Sequence, residues 1–198
     1  ERFFSAGAAE AEAAKRKYGF TRPYALFVGT IEPRKNVGTL LDAWADLDES
    51  LRREFDLVVA GPAGWGNPAT LHRLRSAPPG VRYLGYVPEA DLPGLTAGAA
   101  VFVYPSLYEG FGFPVAQAMA AGTPVITSNV SSLPEITCGA ALLVDPLSRT
   151  ELRDALRKLL ECPEAGRKLA AEARKQAARY RWDLCAKESL EFFERAAG

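Results

Sequence analysis

Two side chains suited to hold sugar hydroxyls flank a glycine-bearing loop near the middle of the chain. Glu109 opens the loop, whose glycines are Gly110 and Gly112, and Gln117 follows the glutamate by eight positions. Glycine lets the backbone approach a ligand closely, with its N–H groups available. A helix beginning near Pro114 would add unpaired donors and the positive end of a dipole, which favours an anion. An anion cradle beside hydroxyl-binding side chains predicts a sugar-nucleotide site.

The elements that must position this loop are a strand before it and a helix and strand after it. The apolar segment 100–104 predicts a buried strand, Gly122 suits the left-handed end of an alanine-rich helix, and 124–127 predicts the next strand. A glycine pair is a weak signal when it stands alone. The plain alternative is a tight turn followed by a polar helix residue.

A second candidate cluster follows the first predicted strand. Arg34 and Lys35 stand side by side in the segment Glu32-Pro-Arg-Lys-Asn36, just before a helix that Asn36 is expected to cap. Two adjacent cations near a helix start suit a diphosphate. A solvated pair of loop cations is the alternative.

Six apolar segments alternate with helical segments along the chain. They lie at 24–29, 56–61, 81–84, 100–104, 124–127 and 140–144, and the chain is predicted to be helical from residue 150 onward. Continuously apolar strands that alternate with helices are covered on both faces, so the fold class is α/β, a Rossmann-like doubly wound parallel sheet of about six strands with C-terminal helices.

Loops that carry unusual residues follow the carboxyl ends of these strands. They are 29–36, 61–66, 85–88, 109–112 and 128–132. Ligands of open parallel sheets bind outside the carboxyl ends of the strands. The sequence therefore predicts that these loops converge on one edge.

The composition excludes several kinds of partner and site. Twenty-four basic residues balance 24 acidic ones, so nothing indicates nucleic acid as a partner. The cysteines Cys138, Cys162 and Cys185 are widely spaced, and His72 is the single histidine, which predicts no metal site. No apolar run approaches the roughly 20 residues that span a bilayer. We therefore expect a cytoplasmic protein with reduced thiols.

The string Glu-Gly-Phe-Gly-Phe-Pro that begins at Glu109 resembles the E-x7-E region of the family 4 retaining glycosyltransferases, which have the GT-B fold. Pro-Arg-Lys-Asn resembles the diphosphate-binding loop of the same family, with Lys35 at the position of its lysine. The resemblance runs from about Pro23 to the C-terminus. It implies the C-terminal, donor-binding half of a GT-B enzyme.

The resemblance also implies roles for individual residues. Glu109, Lys35 and Arg34 match catalytic positions. The implied substrate-binding positions are Gly29, Thr30, Arg34, Lys35, Tyr86, Val87, Leu92, Glu109, Gly110, Phe111, Gly112 and Gln117. For Tyr86, Val87 and Leu92, which match the segment that holds the nucleotide base, ordinary core packing is the alternative.

Two positions depart from the family pattern. Gln117 replaces the second glutamate, which accepts hydrogen bonds from the ribose hydroxyls, and Thr30 stands where many members carry arginine. An amide still pairs with a diol but cannot accept two charge-assisted bonds. We expect nucleotide binding to be weaker by about 1–2 kcal/mol, and Arg34 to supply the charge absent at Thr30.

The domain organisation expected from the resemblance has three parts. Residues 1–22 form a lead-in helix or linker from a missing N-terminal domain, 23–180 form the nucleotide-sugar-binding domain, and 181–198 form a C-terminal closing helix. The N-terminal acceptor-binding domain is an expected partner, through which the protein could associate peripherally with a membrane. No cofactor and no metal are expected, since the sequence shows no Asp-x-Asp cluster.

The functional hypothesis is a hexosyltransferase that transfers a sugar with retention, with GDP-mannose as the favoured donor and UDP-glucose second. The isolated chain is expected to be inactive. The alternatives are a non-catalytic binding module and a sugar-nucleotide epimerase of GT-B architecture. A nicotinamide-dependent dehydrogenase is disfavoured, because no G-x-G-x-x-G follows the first strand.

Overall fold

The computed structural model describes residues 2–197, apart from the side chain of Ala197. Six parallel strands form one sheet. They are β1 (Tyr24–Val28), β2 (Asp56–Ala60), β3 (Val81–Gly85), β4 (Val101–Tyr104), β5 (Val125–Ser128) and β6 (Leu142–Val144). Their order across the sheet is β3-β2-β1-β4-β5-β6, so the direction of winding reverses between β1 and β4. This confirms the predicted doubly wound parallel sheet.

The central strands are apolar on both faces because helices cover both sides of the sheet. Every residue of β2 and β4 is buried, as are the first four of β1. The register aligns Leu26 with Val58 on one side and with Phe102 on the other. Because these strands are packed along their length, their carboxyl ends have defined positions. The loops at the carboxyl edge begin there.

Eleven α-helices occur within residues 2–197. They are α1 (Arg2–Ser5), α2 (Ala8–Tyr18), α3 (Val37–Ala45), α4 (Glu49–Glu54), α5 (Pro68–Arg75), α6 (Leu92–Ala97), α7 (Phe113–Ala120), α8 (Leu133–Thr137), α9 (Arg149–Glu161), α10 (Pro163–Ala177) and α11 (Trp182–Ala197). The short helices α4 and α8 were not predicted. None of the helices in this range has both the length and the apolar character needed to cross a bilayer.

Helices α1 and α2 pack against α6, one of the helices that cover the sheet. A Cβ on Gly94 of α6 would lie 2.5 Å from the carbonyl oxygen of Glu10, so only glycine lets α2 come this close. Arg82 of β3 donates to the carbonyls of Tyr18 and Gly19 at 2.6 and 2.8 Å. The expected lead-in is therefore a packed helical layer. That a further domain precedes it stays a prediction, and Glu1 lies outside the described residues.

The last helix behaves differently from the rest. Residues 182–196 of α11 are all exposed, although Trp182 stacks on Phe113 with ring centroids 6.2 Å apart. Just before it, the hydroxyl of Tyr180 donates to the carbonyl of Ile136 at 2.9 Å. Tyr180 is thus the last residue before α11 that packs on the body of the fold, and the predicted domain boundary at 180/181 stays a prediction. The closing role expected of 181–198 stays a prediction, and Gly198 lies outside the described residues.

Candidate active site

The candidate site lies where the winding of the sheet reverses. β1 and β4 are neighbours, and the chain leaves β1 toward β2 but leaves β4 toward β5. The loops that follow them, 29–36 and 105–112, therefore begin at the carboxyl edge, where ligands of such sheets bind; the edge between these two loops is called the crevice. This is the position that the sequence predicted for Arg34, Lys35 and Glu109.

Asn36 ties the two loops together. Its side-chain amide donates to the carbonyls of Pro105 at 3.1 Å and Pro146 at 2.7 Å, while Oδ1 accepts from the Thr39 hydroxyl at 2.7 Å. The expectation that its side chain caps α3 is wrong, because it accepts no backbone N–H. Asn36 has φ of 58°, a left-handed conformation that asparagine tolerates better than most residues. It is a cross-link between loops.

The backbone of Arg34 is held by the second loop. Its carbonyl accepts from the Leu107 N–H at 2.8 Å and lies 3.0 Å from the Ser106 hydroxyl oxygen. These bonds, with those of Asn36, set the register of one loop against the other. The guanidinium of Arg34 is thereby brought to the crevice.

Glu109 is the centre of a buried polar network. Its Oε1 accepts from the ammonium of Lys35 at 2.6 Å, from the hydroxyl of Ser106 at 2.7 Å and from that of Tyr104 at 3.0 Å. Lys35 also donates to the Tyr104 hydroxyl. The side chains of Lys35 and Glu109 are only 9% and 8% exposed. Lys35 is therefore not a solvated loop cation.

Arg34 closes the network from the solvent side. Its Nη1 lies 2.9 Å from Oε2 of Glu109 and donates to the Tyr108 carbonyl at 3.1 Å. Its Nη2 lies 2.8 Å from Oε1 of Glu32. The Arg34 side chain is 43% exposed, in contrast to the buried Lys35. A ligand in the crevice can reach Arg34 directly.

Burial and hydrogen bonding shift the pKa values of Glu109 and Tyr104 in opposite directions. Burial alone would raise the pKa of Glu109, but hydrogen bonds from Lys35, Ser106 and Tyr104 outweigh it and hold that pKa below its ordinary value. Burial, reinforced by the Glu109 carboxylate, raises the pKa of Tyr104. Glu109 is thus an anion at neutral pH, and Tyr104 keeps the proton that it donates.

The loop that carries Glu109 is braced by the segment after β5. The Glu109 N–H donates to the Ser131 hydroxyl at 3.0 Å, and the Ser132 hydroxyl donates to the carbonyls of Glu109 at 3.1 Å and Phe111 at 2.9 Å. Gly112 has φ of 97°, and a Cβ on it would lie 2.7 Å from Leu133. These contacts hold the loop on the side that faces the segment after β5.

Gly110 and Gln117 face less crowded surroundings. A Cβ added to Gly110 would meet no atom within 4 Å, so this residue presents its backbone to open space. Pro114 lies in the first turn of α7, as predicted, and Gln117 is half-buried one turn further on. Within residues 2–197 the Gln117 side chain makes no hydrogen bond.

The loop after β2 lies against the loop after β1. Gly61 has φ of 146°, and a Cβ on it would lie 1.9 Å from the carbonyl oxygen of Gly29. A Cβ on Gly64 would lie 2.7 Å from the Thr30 methyl group. The two predicted positions Gly29 and Thr30 are therefore packed against a neighbouring backbone, at the end of β1.

The positions matched to the nucleotide base are separated from Glu109. Tyr86 follows β3, so β2 and β1 lie between it and β4, a span of about 14 Å at ordinary strand spacing. The Tyr86 side chain is 72% exposed, whereas Val87 is buried and Leu92 packs partly against the core. Val87 is thus a core residue and Tyr86 an exposed one, and the base-binding role of all three positions stays a prediction.

Five residues that the sequence analysis did not assign to the site belong to the network. They are Glu32, Tyr104, Ser106, Ser131 and Ser132. The signal for Ser106 was available, since it precedes Glu109 by three positions and directly follows a proline. The described part of the chain contains no group of three or more His, Cys, Asp or Glu residues arranged to hold a metal ion. The expectation of no metal and no cofactor stays a prediction.

Comparison with known proteins assigns the family. A family model described as glycosyl transferases group 1 matches residues 10–176. The chain belongs to this family. The match confirms the resemblance to a glycosyltransferase family and removes the dehydrogenase alternative.

Individual relatives agree with the match to the group 1 family. The chain is 40% identical over 174 residues to O-antigen chain mannosyltransferase B from Escherichia coli, an alignment that covers 86% of this chain and 45% of that protein. The chain thus spans less than half the length of this relative. The comparison supports the predicted mannosyltransferase-like character of the domain.

Solved structures share the fold. The sucrose-phosphate synthase tll1590 of Thermosynechococcus elongatus superimposes with a TM-score of 0.80 at 26% identity, over 100% of this chain and 51% of that one. The C-terminal domain of the group 1 protein LpcC from Francisella tularensis superimposes with a TM-score of 0.76 at 19% identity, over 91% of this chain and 97% of that one. The latter is a domain of this fold solved on its own.

Proposed function

We propose that this chain is the donor-binding domain of a retaining hexosyltransferase and that it binds a nucleoside-diphosphate sugar in the crevice between the loops after β1 and β4. The observation that carries the proposal is the convergence of Arg34, Lys35 and Glu109 at the reversal of the sheet, in a chain that belongs to the group 1 glycosyltransferases. Two cations and one hydroxyl acceptor at this position suit a diphosphate that bears a sugar.

Each residue has a role in this proposal. Arg34, which is exposed to the crevice, contacts the diphosphate, and the charge of Lys35 behind it adds to the stabilisation of the leaving group. Glu109 accepts hydrogen bonds from sugar hydroxyls. The backbone of Gly110 borders the ligand, because nothing occupies the space beside it. The bond between the anomeric carbon and the diphosphate breaks, an acceptor hydroxyl attacks that carbon from the same face, and the proton of the hydroxyl passes to the departing diphosphate, so the configuration is retained.

GDP-mannose is the proposed donor, and UDP-glucose is the second candidate. The donor sugar is suggested by the 40% identity to a mannosyltransferase. The base is suggested only by the resemblance of segments 30–36 and 128–135 to bacterial mannosyltransferases. Titration with nucleotides of both bases distinguishes the two.

The acceptor belongs to a part of the enzyme outside these 198 residues. The chain covers 45% of the mannosyltransferase B relative, so we propose that an N-terminal domain supplies the acceptor contacts. The isolated chain should then bind donor but transfer no sugar. Appreciable transfer by residues 1–198 alone would contradict this division of labour.

A non-catalytic binding module is the second candidate function. The observation that favours it is Gln117, which stands in place of the second glutamate of the family motif and makes no hydrogen bond within the described residues. A module of this kind would bind a partner protein and no sugar nucleotide.

Calorimetric titration tests the proposal. The chain is titrated with GDP, UDP, GDP-mannose and UDP-glucose, and the titration is repeated on Arg34→Ala. Arg73→Ala is a matched control, because Arg73 is 42% exposed and pairs with Asp42 on the helical layer. Binding of one base that weakens in Arg34→Ala and not in Arg73→Ala supports the site. Absence of binding to all four nucleotides would favour the non-catalytic module.

A further inference from the structure

The cations proposed for the diphosphate already have an anion. Arg34 contacts Oε2 of Glu109 at 2.9 Å, and Lys35 contacts Oε1 at 2.6 Å. A diphosphate must therefore compete with Glu109 for at least one of them. The geometry shows which cation can leave.

The two oxygens of Glu109 are held unequally. Oε1 accepts from Lys35, Ser106 and Tyr104, all of them buried residues. Oε2 has Arg34 as the partner that the described residues supply, and the Arg34 side chain is 43% exposed. Moving Arg34 leaves the carboxylate in place on three donors. Moving Lys35 would leave a buried anion without its nearest charge, which is costly.

We propose that Arg34 exchanges Glu109 for the donor diphosphate, and that this exchange uncovers Oε2 for a hydroxyl of the donor sugar. This inference rests on the proposed function and assigns an order to its contacts. Lys35 and Tyr104 are positioning residues, because they hold Oε1 while Arg34 moves. Glu109 acts as an internal counter-anion until a diphosphate arrives.

The exchange predicts opposite effects for ligands with and without a sugar. A bare nucleoside diphosphate displaces Arg34 from Glu109 and offers no hydrogen-bond donor to the freed Oε2. A nucleotide sugar displaces Arg34 in the same way, and a hydroxyl of its sugar then donates to Oε2. Glu109→Gln should therefore tighten GDP binding and remove the advantage that GDP-mannose has over GDP.

Glu32 provides a matched control within the same network. Its Oε1 holds the other end of the Arg34 guanidinium at 2.8 Å, and its side chain is 13% exposed. Glu32→Gln also releases Arg34, but it leaves the sugar-binding carboxylate intact. It should tighten GDP and GDP-mannose equally.

The experiment is calorimetric titration of the wild-type chain, Glu32→Gln and Glu109→Gln with GDP and GDP-mannose, and with UDP and UDP-glucose as the second pair. We expect both variants to bind the bare diphosphate about two- to five-fold more tightly, the range of an exposed ion pair. We expect the ratio of nucleotide-sugar to bare-nucleotide affinity to fall about ten-fold in Glu109→Gln only. Thermal unfolding of each variant accompanies the titrations.

The outcomes separate the two proposals. If the wild type binds no nucleotide, the proposed function fails and the exchange fails with it. If the wild type binds while Glu109→Gln leaves the ratio of nucleotide-sugar to bare-nucleotide affinity unchanged, the exchange alone is overturned. If Glu109→Gln does not fold, Arg34→Ala decides: an unchanged ratio supports the exchange, and a ratio that rises once Oε2 is uncovered overturns it.

Discussion

The carboxyl edge of the sheet has two contrasting halves. Around Glu109, every charged side chain has at least one partner, and Lys35, Tyr104 and Ser106 are buried with it. Around Tyr86, the aromatic ring is 72% exposed, and the nearby Val87 is an ordinary core residue. Gln117, on the first turns of α7, is also without a side-chain hydrogen bond among residues 2–197.

The difference indicates how the two halves contribute to binding. Buried, fully bonded groups keep one geometry without ligand, so the Glu109 half is preorganised and its residues also stabilise the fold. Exposed groups without partners add little to stability, and they gain contacts only when a ligand arrives. Substitutions of the buried, bonded groups should therefore change stability, whereas substitutions of the side chains without partners, Tyr86 and Gln117, should change affinity alone.

Replacement of Lys35 should produce the largest effect. Lys35→Ala leaves the buried Glu109 carboxylate without its closest cation, and we expect the free energy of unfolding to fall by about 3–5 kcal/mol. Urea denaturation followed by circular dichroism measures it. Lys15→Ala is the control, because Lys15 pairs with Glu12 at the surface and should cost no more than about 1 kcal/mol. Similar losses of unfolding free energy in Lys35→Ala and Lys15→Ala would contradict the difference between the buried network and an exposed ion pair.

Acidification should lower the free energy of unfolding through Glu109, by less than the Lys35 substitution does. The pKa of Glu109 lies below its ordinary value of 4.5 in the folded state, so between the two values the unfolded chain binds more protons. The stabilisation is complete above pH 4.5 and is lost as the pH falls through the folded pKa. Urea denaturation between about pH 6 and pH 3 should show a shallower pH dependence for Glu109→Gln than for the wild type. Identical slopes would rule out this contribution.

Gln117→Glu should act on affinity and leave stability unchanged. A carboxylate accepts two charge-assisted bonds from a ribose diol, so nucleotide binding should strengthen by about 1–2 kcal/mol in calorimetry. The free energy of unfolding should change by less than about 0.5 kcal/mol, since the side chain has no partner to lose. Weaker nucleotide binding in this variant would show that the amide donors are used.

Tyr86→Ala should have the smallest effect on stability. An exposed side chain contributes little, and we expect a change within about 0.5 kcal/mol in urea denaturation. Val87→Ala is its neighbouring contrast, because Val87 is buried and loses about 1.5 kcal/mol of apolar burial. Equal losses of unfolding free energy in Tyr86→Ala and Val87→Ala would contradict the difference between the exposed Tyr86 and the buried Val87.

The sheet could be predicted from the sequence because its strands are apolar without interruption. The segments around Leu26, Val58 and Phe102 carry the burial pattern of strands covered on both faces, and the structure confirms it. The meeting of Arg34 and Glu109 followed from the rule that loops at the carboxyl ends share one edge. Both inferences use local pattern and topology alone.

The bonding of the site could not be predicted in the same way. Lys35 and Glu109 are 74 positions apart, and nothing local indicates that a lysine in a charged loop is buried against a tyrosine from β4. Asn36 was expected to cap a helix, a local role, but its amide reaches carbonyls 69 and 110 positions away. Long-range polar contacts depend on side-chain geometry, which residue type and spacing leave undetermined.

Gly61 sets a limit on how this crevice can diversify. Its φ of 146° and the 1.9 Å separation between a Cβ there and the Gly29 carbonyl oxygen exclude every side chain at this position. Saturation mutagenesis of the loop should return glycine alone at 61, while the exposed neighbours Pro62, Ala63 and Trp65 tolerate replacement. Changes at these exposed positions can therefore alter the surface of the loop while the backbone contact between Gly61 and Gly29 stays fixed.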